Sequence, residues 1–271
     1  MIKVAKKKTG RFKNISIEEK TALEDIEKLV GKPMQESESF LGISPYAFVV
    51  NNGHVTKLGI ERQFAKVPET IGDLKWLEEL DLGWNKLTSL PDIFNNLINL
   101  KDLDLAYNRL KTLPDSFSDL INLKRLNLAG NDFKTLPNSF GNLINLKRLD
   151  LAQNGLKALP DSFGNLRMLE ELDLWGNWLK ILPESFGDLS NLKFLELCSN
   201  SSPKIPKSFR NLTNLKKLLL ADNEVESFPR EIAEQLKKQG CQIHYEAREW
   251  IGDWGGDWET VKYDYFKRKE I

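Results

Sequence analysis

Hydrophobic residues recur along most of the chain with a fixed spacing. In residues 77–99, leucine occupies places one, four, six, eleven, fourteen and twenty-one, with proline at place fifteen and phenylalanine at place eighteen. Asparagine stands at the ninth place and recurs every 23 residues from Asn85 to Asn223. The alternation around Leu80 and Leu82 predicts a short β-strand whose leucines face a core. A pattern this regular predicts an array of stacked units in which the strands form one parallel sheet.

The remaining constant positions predict how each unit closes. We expect the ninth-place asparagines to form an internal ladder of hydrogen bonds to the backbone of neighbouring turns. Proline fixes φ at the start of the return segment, and phenylalanine fills the wider, convex half of the core. One unit buries too little apolar surface to be stable alone, so we expect stability to come from stacking and both ends to be covered.

The unit LxxLxLxxNxLxxLPxxFxxLxx resembles that of leucine-rich repeat proteins over residues 55–237. Its uniform length and its LPxxF half are similar to the intracellular Ras-group repeat proteins and to archaeal and bacterial repeat proteins with the same unit. The resemblance implies an α/β leucine-rich repeat solenoid. Its parallel sheet would line the concave side, and irregular or short helical segments would form the convex side.

The flanking sequences predict caps. Ser16 and Glu19 form a capping box at the start of a helix over 17–30, and residues 47–58 have the pattern of a β-hairpin. At the other end we expect a convex helix over 231–238 and a last strand at 241–245. The predicted organisation is a basic disordered arm (1–15), an N-terminal cap (16–54), eight repeats (55–237), and a C-terminal cap strand with an aromatic tail (238–271).

The aromatic tail contains Trp250, Trp254 and Trp258, and it has two interpretations. It either folds over the last repeat as a cap, which we favour, or it docks a partner.

Charge and cysteine content limit the partners and the compartment. Lysine plus arginine total 39 and aspartate plus glutamate total 39, so the whole molecule has no net attraction to nucleic acid or to an anionic membrane. We therefore expect neither as a partner. Cys198 and Cys241 form no disulfide framework, and no apolar run reaches about 18 residues. These features predict a cytoplasmic protein.

Catalytic chemistry has little support in the sequence. His54 and His244 are the two histidines, and no phosphate-binding loop, GxSxG or HExxH occurs. We expect no enzyme activity, cofactor or metal. The alternative is an enzyme that uses paired carboxylates, because Asp81 and Asp104, or Asp150 and Asp173, occupy equivalent places on adjacent strands about 5 Å apart. We prefer solvated acids on an open sheet.

The outward places of each unit vary where the core places are constant. Places three, five, seven and eight hold ten acids and five bases, which predicts an acidic concave face. Aromatic residues also occupy this face and predict an interface. The predicted protein-binding residues are Glu79, Asp81, Trp84, Asp102, Asp104, Tyr107, Arg125, Arg148, Asp150, Glu171, Asp173, Trp175, Phe194 and Glu196.

The predicted function is a non-catalytic scaffold whose concave face binds a protein. The Ras-group resemblance implies a small GTPase or its regulator as one candidate partner. Two alternatives stay open: the aromatic rings of the concave face could pack only against each other, or the chain could self-assemble through its aromatic tail.

Overall fold

The computed structural model describes residues 12, 15–38, 46–60, 64–223 and 228–245. Within these residues, eleven strands form one sheet in chain order, and all neighbours are parallel except the antiparallel pair β2 and β3. Helix α1 (Ile17–Val30) precedes the sheet, and helix α2 (Arg230–Lys238) lies between β10 and β11. The strands are β1 (Gln35–Glu36), β2 (Tyr46–Asn51), β3 (His54–Ile60), β4 (Glu79–Asp81), β5 (Asp102–Asp104), β6 (Arg125–Asn127), β7 (Arg148–Asp150), β8 (Glu171–Asp173), β9 (Phe194–Glu196), β10 (Lys217–Leu219) and β11 (Gln242–His244).

Each return segment between β3 and β10 contains a short 3₁₀ helix. These helices span Glu69–Asp73, Phe94–Asn96, Asp115–Asp119, Asn138–Asn142, Asp161–Asn165, Glu184–Asp188 and Lys207–Asn211. Leu80 pairs with Leu103, the residue 23 places later, and both are buried. The predicted leucine-rich repeat solenoid is therefore confirmed.

The ninth-place asparagines form the predicted ladder. Asn108 donates through Nδ2 to the carbonyls of Leu82 (2.9 Å) and Leu105 (3.0 Å), and its Oδ1 accepts from the amide of Leu87 (3.0 Å). The equivalent asparagines repeat this arrangement. The buried asparagine side chains thus satisfy backbone amide and carbonyl groups of their own and adjacent turns.

A second asparagine ladder was not predicted, although its asparagines also recur every 23 residues. Asn122 donates to the carbonyl of Ile98, and Asn145 donates to that of Ile121, each at 2.8 Å. Asn99, Asn191 and Asn214 do the same. This ladder lies at the exposed edge just before each strand.

The phenylalanines determine the curvature. Phe140, Phe163, Phe186 and Phe209 stack with ring centroids 6.2, 6.2 and 5.7 Å apart, whereas adjacent strands lie about 4.8 Å apart. The convex side is therefore longer, and the sheet lines the inside of the arc. A Cβ on Gly141, Gly164 or Gly187 would overlap the carbonyl of Ser162, Ser185 or Ser208 in the next turn, so glycine permits this close stacking.

The N-terminal cap has the predicted helix and hairpin. Ser16 and Glu19 form the capping box, and Asn52 and Gly53, both with positive φ, turn the hairpin. Glu19 is buried, and its carboxylate also accepts the amide of Val55 at 3.0 Å, which ties α1 to β3. Strand β1 was not predicted.

Some predicted regions lie outside the described residues, including most of the basic arm and the tail with Trp250, Trp254 and Trp258. Two residues assigned to the arm, Phe12 and Ile15, are buried, and Phe12 packs edge-on against Phe48. At the other end, Cys241 is buried and Ile243 packs against the core. No helix in the described part of the chain is long and apolar enough to cross a membrane.

Candidate interaction surface

The third-place residues form ion pairs across neighbouring strands. Lys57 Nζ lies 2.7 Å from Glu79 Oε1, and Arg148 Nε lies 3.3 Å from Glu171 Oε1. The structure also pairs Arg125 with Asp102. The prediction counted these three acids toward an acidic concave face, but each has a basic partner in an adjacent strand. This row is therefore not a source of net negative charge.

The fifth-place acids accept backbone hydrogen bonds. Asp81 Oδ1 accepts from the amide of Gly83 (2.9 Å), and Asp104 Oδ1 accepts from that of Ala106 (2.8 Å). Asn127, Asp150 and Asp173 make the same contact two residues ahead. These side chains stabilise the turn that follows each strand.

This finding corrects the interpretation of Asp150 as a solvated acid. Asp150 is only 5% exposed. The side chains that face each other across β5 and β6 are also linked, since Asn127 Nδ2 donates to Asp104 Oδ2 at 3.0 Å. The carboxylates named for acid/base chemistry thus have a structural role in the turns. Five of the six fifth-place residues from Asp81 to Glu196 are acidic and none is basic, so the row still contributes negative charge.

The pKa values of adjacent glutamates move in opposite directions. A hydrogen bond from Lys193 lowers the pKa of Glu170, and Lys147 adds to this effect. Burial raises the pKa of Glu171, against the opposing influence of Arg148. Burial also raises the pKa of the Cys198 thiol and that of Cys241, the latter to about 11. Neither cysteine is a reactive thiolate at neutral pH.

The eighth place of the seven repeats from Trp84 to Asp222 adopts a left-handed backbone, which the prediction missed. Its φ is 57° at Trp84, 54° at Tyr107 and 64° at Gly130. Gln153, Gly176, Ser199 and Asp222 have the same conformation. The amide at this place donates to the carbonyl of the seventh place in the next repeat, as from Trp84 to Ala106 at 2.8 Å. The glycines at 130 and 176 were the signal in the sequence, since glycine adopts positive φ at low cost.

Trp84 and Tyr107 form a stacked pair at this place. Their ring centroids lie 4.1 Å apart, and their planes are inclined by 22°. The Tyr107 ring in turn lies on the backbone of Gly130, where an added Cβ would overlap it. Both aromatic side chains are half-buried. The alternative that rings pack against each other is therefore correct for this pair, which still presents one edge to solvent.

Trp175 and Phe194 differ in accessibility. Trp175 is 39% exposed, in a seventh-place row that from Gly83 to Ala221 otherwise holds glycine, alanine and cysteine. Phe194 was predicted to face solvent, but it is only 8% exposed, and the Lys217 ammonium lies 5.7 Å from its ring centroid. Phe194 is thus corrected to a buried residue. Trp178, which the predicted site omitted, is 63% exposed.

The described residues contain no group of three or more His, Cys, Asp or Glu side chains that could hold a metal ion. His54 stacks on Trp76 with centroids 4.5 Å apart, and its Nδ1 lies 3.5 Å from the Glu19 carboxylate in the N-terminal cap. Its surroundings belong to that cap and not to the concave face.

Comparison with known families agrees with this geometry. A model described as leucine-rich repeat matches residues 76–133, and one described as leucine-rich repeat region matches residues 138–240. Together with the stacked units, these matches show that the chain is a leucine-rich repeat protein. No curated protein sequence matches the chain.

Solved structures of similar fold include receptors. The leucine-rich repeat ectodomain of the membrane receptor kinase GASSHO1/SCHENGEN3 from Arabidopsis thaliana, in complex with Casparian strip integrity factor 2, is 28% identical, with a TM-score of 0.56 over 74% of this chain and 24% of that chain. The PEPR1–AtPEP1 crystal structure is 26% identical, with a TM-score of 0.62 over 76% of this chain and 31% of that chain. A leucine-rich repeat protein of Leptospira interrogans is 29% identical, with a TM-score of 0.35 over 69% of this chain and 66% of that chain. The chain spans less than two thirds of the length of each.

Leucine-rich repeat domains generally mediate protein–protein interactions and are typically non-catalytic.

Proposed function

We propose that this protein is a non-catalytic scaffold whose concave face binds a protein partner. The observation that carries the proposal is the exposure of Trp175. Its neighbours in the seventh-place row, Ala152 and Cys198, are small and buried, so the indole projects from the sheet without filling the core. A large aromatic side chain in this setting is typical of an interface anchor.

The surroundings of Trp175 indicate the chemistry of the partner. The fifth-place row, which includes Asp173 and Glu196, contains acids and no basic residue. The stacked Trp84 and Tyr107 provide a second aromatic surface three repeats away. We therefore propose a partner with two apolar contact points and basic groups between them. The complex of the similar Arabidopsis ectodomain with Casparian strip integrity factor 2 supports this use of the fold.

The predicted partner class and the predicted location still rest on the sequence. A small GTPase as the partner rests on the Ras-group resemblance alone, and no contact in the structure favours it. The cytoplasmic location rests on the cysteine content. The enzyme alternative loses support because the acids it required, including Asp104 and Asp150, are bonded to the turns. Self-assembly through the tail concerns residues outside those the structure describes.

Site-specific photocrosslinking tests the proposal. A photoreactive phenylalanine analogue is placed at Gln153 on the concave face or at Asn138 on the convex face, and each full-length protein is irradiated in a lysate of its source cells. We expect a discrete crosslinked protein from position 153 only. Trp175→Ala combined with Trp84→Ala should abolish it. Trp76→Ala, which removes an exposed tryptophan between β3 and β4, should retain it. Equal crosslinking from position 138, or retention in the double variant, would refute the concave-face assignment.

A further inference from the structure

A basic edge runs along the side of the solenoid where the chain leaves the sheet. We define it as places ten to thirteen of the six consecutive repeats that begin at residues 77, 100, 123, 146, 169 and 192. These places contain seven cations and one acid, Asp132. All eight side chains are exposed. The cations are Lys86, Arg109, Lys111, Lys134, Lys157, Lys180 and Lys204. The neutral total charge of the chain therefore conceals a segregated positive surface.

The backbone aligns these cations in a row. The amide of Lys157 donates to the carbonyl of Lys134 at 3.4 Å, that of Lys180 to Lys157 at 3.1 Å, and that of Lys204 to Lys180 at 2.9 Å. Backbones joined in this way lie about 5 Å apart. Like charges at this spacing repel one another, so an external anion that binds along the row would relieve the repulsion.

Three lysines on the opposite edge of the sheet have acidic partners within the fold. Lys101 Nζ lies 2.9 Å from Glu78 Oε2, and Glu170 contacts both Lys147 (3.3 Å) and Lys193 (2.5 Å). In the described part of the chain, no ion pair involves a cation of the basic edge. Lysines of the same repeats are thus paired with acids at one edge, whereas at the basic edge they are available to solvent or to a partner.

Two large apolar side chains stand within the basic edge. Trp178 and Ile181, the latter 50% exposed, lie on either side of Lys180 in the sequence of one repeat. Cations with an exposed tryptophan and isoleucine form the combination that binds the interface of a bilayer, where cations contact anionic headgroups and the apolar groups insert between them.

We propose that the basic edge docks the protein on the surface of an anionic lipid bilayer. Acids border this edge on both sides: Asp81, Asp104 and Asp173 on the concave face, and Asp115, Asp161 and Glu184 at the start of the convex 3₁₀ helices. A nucleic acid that wrapped onto either face would meet these carboxylates, whereas a flat surface touches the edge alone. Docking by this edge leaves the concave face open at right angles to the membrane.

Vesicle flotation of the full chain tests the proposal. The two compositions are pure phosphatidylcholine and phosphatidylcholine with about 30% phosphatidylglycerol. We expect binding to the anionic vesicles only, weakening as NaCl rises from about 0.05 to 0.5 M. Lys111→Gln, Lys134→Gln, Lys157→Gln and Lys180→Gln in one variant should weaken this binding about 100-fold or more.

A matched variant controls for charge. Lys101→Gln, Lys124→Gln, Lys147→Gln and Lys193→Gln remove the same charge from the same region at the opposite edge, and this variant should bind within about threefold of the wild type. A polarity-sensitive dye is attached at position 178 alone. Its fluorescence emission should shift to the blue when the protein binds the anionic vesicles. Thermal melts confirm that both variants fold.

Three results would overturn the proposal: binding to pure phosphatidylcholine, equal loss in the two quadruple variants, or retention of binding in the basic-edge variant. Single-stranded DNA and polyphosphate serve as competing probes in the same assay. If the basic-edge lysines bind these polymers while the anionic vesicles stay unbound, the partner is a soluble polyanion, and the membrane assignment is wrong.

Discussion

The Trp84 ring stacks on the Tyr107 ring at 4.1 Å, although both residues hold a left-handed backbone with φ of 57° and 54°. Bulky residues rarely adopt this conformation, because Cβ approaches the following carbonyl. The asparagine ladder requires it, since the eighth place must turn the chain so that the ninth-place amide points inward. Stacking of the two rings offsets part of the strain.

Variants at Trp84 separate the strain from the stacking. Glycine removes both the ring and the strain, whereas alanine removes the ring and keeps the strain. We expect Trp84→Gly to be about 1 kcal/mol more stable than Trp84→Ala in urea unfolding. Equal stability of the two variants would show that the left-handed turn costs nothing at this position.

The convex glycines provide a second test. A Cβ at Gly164 would overlap the carbonyl of Ser185, a backbone atom that cannot rotate away. We expect Gly164→Ala to cost about 1–3 kcal/mol by denaturant unfolding. Gly155→Ala is the control, because its Cβ would lie 3.3 Å from the nearest heavy atom and its φ is not positive. A smaller loss at Gly164 than at Gly155 would contradict the close-packing argument.

The two asparagine ladders differ in burial, and their variants should differ accordingly. Asn131 is buried, and its loss removes the acceptor of the Leu110 amide and one of the two asparagine donors to each of the Leu105 and Leu128 carbonyls. We expect Asn131→Ala to cost about 2–4 kcal/mol. Asn122 makes one exposed bond to Ile98, so Asn122→Ala should cost less than about 1 kcal/mol. Differential scanning calorimetry measures both variants, and similar melting temperatures would show that burial does not separate the ladders.

Glu170 and Glu171 should respond to pH in opposite ways. The pKa of Glu170 is lowered from 4.5, so its carboxylate stabilises the native state above that pH and loses this effect as the pH falls. The pKa of Glu171 is raised from 4.5, so its ionised form disfavours the native state at neutral pH. Relative to the wild type, Glu170→Gln should lose and Glu171→Gln should gain about 0.5 kcal/mol at neutral pH.

Urea unfolding at pH 7 and at about pH 3 measures these differences. Both should shrink at the lower pH, because protonation removes the charge of the carboxyls on which the differences depend. The substituted amide in Glu171→Gln retains hydrogen-bonding capacity but not charge. A loss of stability in this variant at pH 7 would therefore show that the ion pair with Arg148 outweighs burial.

The sequence determined the repeat register, the core leucines, the internal ladder of Asn85 to Asn223, and helix α1 with its capping box. These features are local or strictly periodic, so the positions of apolar and asparagine residues specify them without knowledge of neighbours. The 23-residue repeat length alone places Leu80 beside Leu103.

Only the tertiary structure decided the accessibility and the pairing of the outward residues. Phe194 and Trp175 both occupy outward places, yet one is buried and the other is exposed, because the neighbouring side chains differ. Lys147 is paired with Glu170 while Lys157 lies on the basic edge, and this difference depends on which side chains of the adjacent repeats lie beside each lysine. Alternation within one strand gives the face of a residue, but its burial and its charge environment depend on side chains from the adjacent strands.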